Sequence, residues 1–69
     1  MESEKITIGD KIQARRLKLG ITQDMLARKS NVPYTTLTKI ESNVILNPSI
    51  QTVVKIAKGL EIKIDNLIK

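Results

Sequence analysis

Apolar residues recur along the chain at intervals of three and four, and short polar or glycine-containing breaks divide them into five helical stretches. The first predicted helix covers 8–19 and stops at Gly20, a residue that enters the left-handed region freely. At 100° per residue its Ile8, Ile12 and Leu19 fall within about 40° of one another, with Arg15 and Arg16 flanking that stripe. The second stretch, 22–30, opens on Thr22, whose hydroxyl can cap an orphan amide, and carries Asp24 where an acid suits the helix dipole. Met25 rules out a capping box there, and Leu26 and Ala27 point inward.

Asn31-Val32-Pro33 then separates the second helix from a third, 34–42. Asn tolerates the left-handed region and Pro is accepted at a helix start. So short a link forces the two helices to cross steeply. Asn43 ends the third helix, and a loop leads to Asn47-Pro48 and to Ser49, which caps a fourth. There Ile50, Val53, Val54, Ile56, Ala57 and Leu60 cover one broad face, opposite Gln51, Lys55 and Lys58, and Gly59 lowers the helicity near the end. A last turn at 64–68 contributes Ile64 and Leu67. No repeat, low-complexity tract or linker interrupts the chain, so the expectation is one all-α domain over 1–69, with 1–6 as a flexible tail.

Composition narrows the chemistry. The 69 residues include no Cys and no His. That leaves no thiolate or imidazole for a metal, a nucleophile or a general base, and no carboxylate pair or glycine-rich phosphate loop replaces them. An enzyme is therefore not expected, nor a metal, a cofactor or a small-molecule ligand. Val44-Ile45-Leu46, the longest apolar run, is far too short for a bilayer, and the acidic start carries no leader pattern. Without disulfide staples, a small domain of this kind is expected in the cytoplasm. Twelve basic residues against seven acidic ones give a net charge of +5, which favours a polyanionic partner. A membrane surface fits poorly, because no basic amphipathic helix with aromatic anchors is present.

The third helix is the most informative stretch. Leu37 and Ile40 set its inward direction; Thr35, Thr38 and Ser42 lie opposite, with Tyr34 and Lys39 beside them. An ordinary surface helix would show Glu and Lys in i,i+4 pairs. Instead, three threonines, poor helix formers, share one short helix with the only aromatic residue of the chain. Thr, Ser and Lys hydrogen-bond base edges, and a Thr methyl can touch the methyl of thymine.

From Ile12 to Leu67 the chain resembles the Cro and phage-repressor type of helix-turn-helix, the xenobiotic-response-element family. The residues that carry the likeness are Arg16, Gly20-Ile21-Thr22-Gln23, Leu26-Ala27, Asn31-Val32, Leu37, Ile40-Glu41, Asn47-Pro48-Ser49, Ile56-Ala57, Leu60 and Asp65 to Leu67. The resemblance implies a compact five-helix, lambda-repressor-like domain with the helix-turn-helix at its second and third helices. It implies a third helix in the major groove and a second across the backbone. It places Tyr34, Thr35, Thr38 and Lys39 at base edges, and Thr22, Gln23, Thr36, Ser42 and Asn43 at phosphates or in positioning roles. It also implies a structural ion pair between the first and third helices; the helical wheel leaves Arg15 and Arg16 both open as the partner of Glu41, and the resemblance selects Arg16. Three departures stand out: Asn31 and Asn43 occupy positions where glycine is usual, and the loop Val44-Ile45-Leu46 is apolar where relatives are basic.

The function so implied is a sequence-specific transcriptional regulator on double-stranded DNA, a homodimeric repressor-type protein. The rival is an antitoxin or another protein-interaction module on the same fold, with DNA binding secondary. Pairing is expected because one recognition helix covers too few base pairs to select a site among a genome's competitors. Two surfaces are candidates: the C-terminal stretch Ile62, Ile64, Leu67 and Ile68, which is favoured, and the loop Val44 to Leu46.

Overall fold

The computed structural model describes residues 6–68, so the tail expected over 1–6 falls, apart from Ile6, outside the described residues. Five helices follow in order: α1 (Ile8–Leu19), α2 (Gln23–Ser30), α3 (Tyr34–Glu41), α4 (Ile50–Gly59) and α5 (Asp65–Ile68). No strand occurs among the described residues. α2 packs on α4 and on α3, and α1 packs on α3 and α5. Ile12, Leu26, Leu37, Ile40, Ile56, Leu60 and Leu67 are the largest fully buried side chains, and each of the five helices or the turn after it supplies at least one.

Local chemistry sets the helix ends. Thr7, Thr22 and Ser49 each accept a backbone N–H of their own first turn, from Asp10, Met25 and Thr52 respectively. α1 has a full capping box: the Asp10 carboxylate also accepts from the Thr7 amide, a pairing the sequence pattern left unremarked. The far ends of α1 to α4 are each followed by a left-handed residue, Gly20 (φ 73°), Asn31 (φ 57°), Asn43 (φ 67°) and Glu61 (φ 61°). After each of them the chain folds back so that its amides reach carbonyls of the last turn, as Val32 does with Ala27 and Ile62 with Ala57. Glu61 is the unexpected member, since glutamate rarely takes this conformation.

Several expected core positions lie elsewhere. Leu19, at the end of the α1 stripe, is exposed, and so are Ile50 and Val54 of the broad α4 face. α4 buries the narrower strip Val53, Ile56, Ala57 and Gly59, and packs on α2. In the C-terminal stretch the last turn contributes Ile64 and Leu67 to the core, as expected. Leu67 is fully buried, and Ile62 and Ile64 are partly buried against the core, leaving Ile68 as the one exposed member of that set. The reason is the left-handed turn at Glu61: residues 61–64 are not helical. Ile62 is therefore laid inward beside them.

Two glycines mark the tightest approaches. A Cβ on Gly9 would overlap the carbonyl oxygen of Ile40, so α1 meets the end of α3 backbone to backbone. One on Gly59 would overlap the hydroxyl of Ser30, where α2 crosses α4. Gly59 is thus a packing requirement as well as a weak point in its helix. Gly9→Ala should destabilise the domain by about 1–3 kcal/mol through overpacking, although Ala is the better helix former by about 1 kcal/mol. Urea unfolding checks this, and a gain in stability would mean that the α1–α3 contact yields freely.

Candidate nucleic-acid interface

The buried polar centre of the domain lies under α3. Arg16 projects from α1 and grips Glu41, the last residue of α3, through two of its nitrogens: Nε donates to Oε2 at 3.0 Å and Nη2 to Oε1 at 3.1 Å. Their side chains are only 10% and 2% exposed. Arg16 Nη1 donates to the carbonyl of Ile21 at 3.0 Å, fixing the loop before α2. Gln23, in the first turn of α2, donates from Nε2 to Glu41 Oε1 at 3.1 Å. The Arg16–Glu41 pair therefore gathers α1, the α1–α2 loop, α2 and α3. A charge-assisted fork of this kind fixes direction as well as distance.

A second tie holds the end of α3 from the other side. Asn43 accepts from the Thr7 hydroxyl at 2.6 Å and donates from Nδ2 to Asp10 at 3.3 Å, joining the capping box of α1 to the residue that turns the chain after α3. The Asp10 carboxyl is held below its ordinary value, first by the hydrogen bond from the Thr7 amide and then by that from Asn43.

Between these ties α3 presents its remaining face. Thr35, Lys39 and Ser42 are exposed, Tyr34 is 49% exposed, and Thr36 and Thr38 are half-buried. Four of the expected contact residues are partly engaged by the protein itself. The Thr38 hydroxyl donates to the Thr35 carbonyl at 2.9 Å and that of Ser42 to the Lys39 carbonyl at 3.3 Å, so both offer a neighbour lone pairs rather than the proton. The Thr22 hydroxyl accepts from Met25 and keeps its proton to donate. The Gln23 amide nitrogen is turned towards Glu41. Arg15, the alternative to Arg16 on the helical wheel, is half-buried with its Nε enclosed and unpartnered. Pro33 gives α3 no side-chain cap, so its first-turn amides have no side-chain acceptor.

The sequence points Asn43 to a phosphate or a positioning role and does not single out Thr7, Asp10 or Gly9. The Thr-x-x-Asp spacing before an apolar stripe was the available signal for the first pair. The close approach at Gly9 had none.

A helix-turn-helix family model matches residues 12–67. Among curated proteins, the chain is 42% identical over 52 residues to an uncharacterised HTH-type transcriptional regulator of Rickettsia prowazekii, covering 71% of this chain and 56% of that protein. It is 34% identical over 61 residues to the HTH-type transcriptional regulator SinR of Bacillus subtilis, covering 88% of this chain and 55% of SinR. The chain thus spans about half the length of the curated relatives it matches. The crystal structure of SinR in complex with DNA superposes with a TM-score of 0.87 at 33% identity, over 91% of this chain and 100% of that one. The restriction-modification controller protein C.Esp1396I does so with a TM-score of 0.78 at 34% identity, over 99% and 97%.

Two tests address these ties. Glu41→Ala leaves Arg16 buried without its counter-charge and should cost about 3–5 kcal/mol, a large part of the roughly 3–10 kcal/mol expected for a domain of this size. Denaturant unfolding measures it; a loss under about 1 kcal/mol would be that of an exposed pair. Asp10, lowered in the folded state, stabilises fully above its ordinary value of 3.8 and loses that contribution as the pH falls through the lowered one. Asn43→Ala should move the folded-state titration of Asp10 back up towards that value, read by carboxyl NMR. An unmoved titration would remove Asn43 from the cause.

Proposed function

The chain belongs to the Cro/C1-type helix-turn-helix family, and from that premise we propose that it is a sequence-specific transcriptional regulator that reads duplex DNA with α3. The observation that carries the reading is the α3 surface itself. Tyr34, Thr35 and Lys39 stand exposed on a helix whose far end is pinned by the buried Arg16–Glu41 pair. Exposed hydroxyls and a lysine match the hydrogen-bonding groups of base edges. The net charge of +5 supplies the sequence-independent attraction to phosphates. The likeness to SinR, solved in complex with DNA, supports DNA as the partner.

In this reading Tyr34, Thr35, Thr38 and Lys39 face bases, and Thr22, Thr36 and Ser42 face phosphates. Gln23 acts as a buttress through Glu41, with its carbonyl oxygen and backbone as the parts nearest the duplex. Asn43 holds the end of α3 and so positions rather than contacts. The protein pairs as a homodimer on a two-fold operator, in which half-sites lie about 34 Å apart, one turn of duplex, and represses from it. A cytoplasmic location, on the nucleoid when bound, follows from that role.

Selection of duplexes from a random pool, followed by anisotropy titrations, tests the reading. Thr35→Ala and Lys39→Ala should each weaken the selected site by about 1–3 kcal/mol and random duplexes far less. Gln23→Ala should weaken both more evenly, because phosphate-level positioning carries no sequence information. Affinity should fall with salt by about 0.9 per neutralised phosphate, with roughly three to six per half-site. Equal losses on all duplexes from the α3 changes would take α3 out of the groove.

A further inference from the structure

Thr38 lies half-buried on the face of α3 that carries the exposed Thr35 and Lys39, and its hydroxyl proton is already committed. Oγ1 stands 2.9 Å from the Thr35 carbonyl oxygen, one turn back along the helix. A carbonyl only accepts, so the hydroxyl is the donor and its proton points into the protein. Turning that proton outward would set the lone pairs of the two oxygens against each other across the same gap. What Thr38 shows to a neighbour is therefore an acceptor and, on the same Cβ, a methyl group. Thr35 differs: among the described residues no hydrogen bond engages its hydroxyl, which rotates to give or to take. Lys39 differs in the opposite sense, because its ammonium can only donate.

We propose that Thr38 specifies an A·T base pair in the operator, its Oγ1 accepting from the exocyclic amine of adenine while its methyl packs on the thymine methyl. The inference rests on α3 lying in the major groove, and it deepens that reading by naming one element of the sequence read. Hydroxyl contacts are ordinarily degenerate, since Ser and Thr suit donors and acceptors alike. The bond to the Thr35 carbonyl removes that freedom here. Elimination then narrows the partner. Phosphate oxygens, the O6 and N7 of guanine and the O4 of thymine are all acceptors, so each would meet Oγ1 lone pair to lone pair. Two donors remain in the major groove, the amines of adenine and of cytosine. The methyl decides between them. An A·T pair presents the amine and the thymine methyl along one groove edge, whereas a C·G pair has no methyl to offer. Lys39 beside it demands acceptors, so the two neighbouring side chains ask for opposite chemistry and cannot share one group. Because the Thr38 rotamer is held before DNA arrives, little side-chain freedom is lost on contact.

Duplexes selected from a random pool by the full chain, and then by its Thr38 variants, locate the pair. Thr38→Val keeps the shape and the methyl but loses the acceptor, so it should relax the preference at one A·T position per half-site. Base analogues at that position separate the two groups. 2-Aminopurine still pairs with thymine but carries no amine in the major groove. In place of the adenine it should weaken wild-type binding about three- to tenfold, the worth of one hydrogen bond, and cost Thr38→Val nothing further. Deoxyuridine in place of the thymine removes only the methyl. It should weaken the wild type about two- to fourfold and cost Thr38→Ser, which keeps the hydroxyl alone, nothing further. Should Thr38→Val fail to fold, Thr38→Ala, a better helix former, replaces it in the amine measurement. A G·C or C·G pair at the Thr38-dependent position, or analogues that weaken wild type and variant alike, would overturn the assignment. If the Thr38 variants select the wild-type sites while Thr35→Ala and Lys39→Ala relax them, this assignment falls and α3 stays in the groove. If no duplex is preferred over random DNA, the regulatory reading falls and this assignment with it.

Discussion

The Glu41 carboxylate is the point on which the architecture turns. It is the last residue of α3, it is buried, and it accepts from α1 through Arg16 and from α2 through Gln23. A buried ion pair is a poor source of net stability, because desolvation consumes most of the Coulombic gain. Its strength lies in direction. Apolar packing tolerates small rotations of one helix on another, whereas a forked guanidinium–carboxylate contact with a third donor on the same oxygen does not. These three donor nitrogens, two of Arg16 and one of Gln23, therefore fix the angle of α3 relative to α1 and α2, and that angle decides where its exposed face points.

Most of the fold was legible because its punctuation is chemical. Threonine and serine caps, Gly20 and the two asparagines state where helices start and stop, and these features depend only on neighbours in sequence. The misreadings share one cause: they needed contacts distant in sequence. Glu61 gives no local hint that it takes a left-handed turn, and without that turn Ile62 reads as outward-facing. Ile50 and Val54 have the right period for a core face, but among the apolar side chains of α4 it is Val53, Ile56 and Ala57 that are buried. Gly9 and Gly59 read as a helix position of no consequence and a weakness; only the neighbouring chain shows that nothing larger fits.

The candidate site divides the same way. The composition of the α3 face could be read directly, because three threonines and a tyrosine in a helix of eight residues conflict with helix propensity. The support beneath it could not. Whether Arg15 or Arg16 meets Glu41 is undecided on a helical wheel and was chosen by resemblance; the geometry gives Arg16 the carboxylate and leaves Arg15 half-buried with an unpartnered Nε. Asn43 shows how a residue chosen for its backbone can acquire a second use. Its left-handed conformation ends α3, and the same conformation turns its amide towards the Thr7–Asp10 cap.

These features explain why α3 can carry so unfavourable a sequence. An isolated helix of eight residues does not form in water even with good formers, so its own propensity contributes little either way. Leu37 and Ile40 bury one side of it, Glu41 anchors its end, and Asn43 fastens the turn beyond. With its conformation dictated by the rest of the domain, the remaining positions are released from any duty to stabilise the helix. That release permits threonines and a tyrosine to stand where alanine, glutamate and lysine would otherwise be favoured. The cost of the poor formers is a few tenths of a kcal/mol each, small against the buried anchors on either side. A surface chosen for contact is therefore confined to the helix whose folding depends least on its own residues.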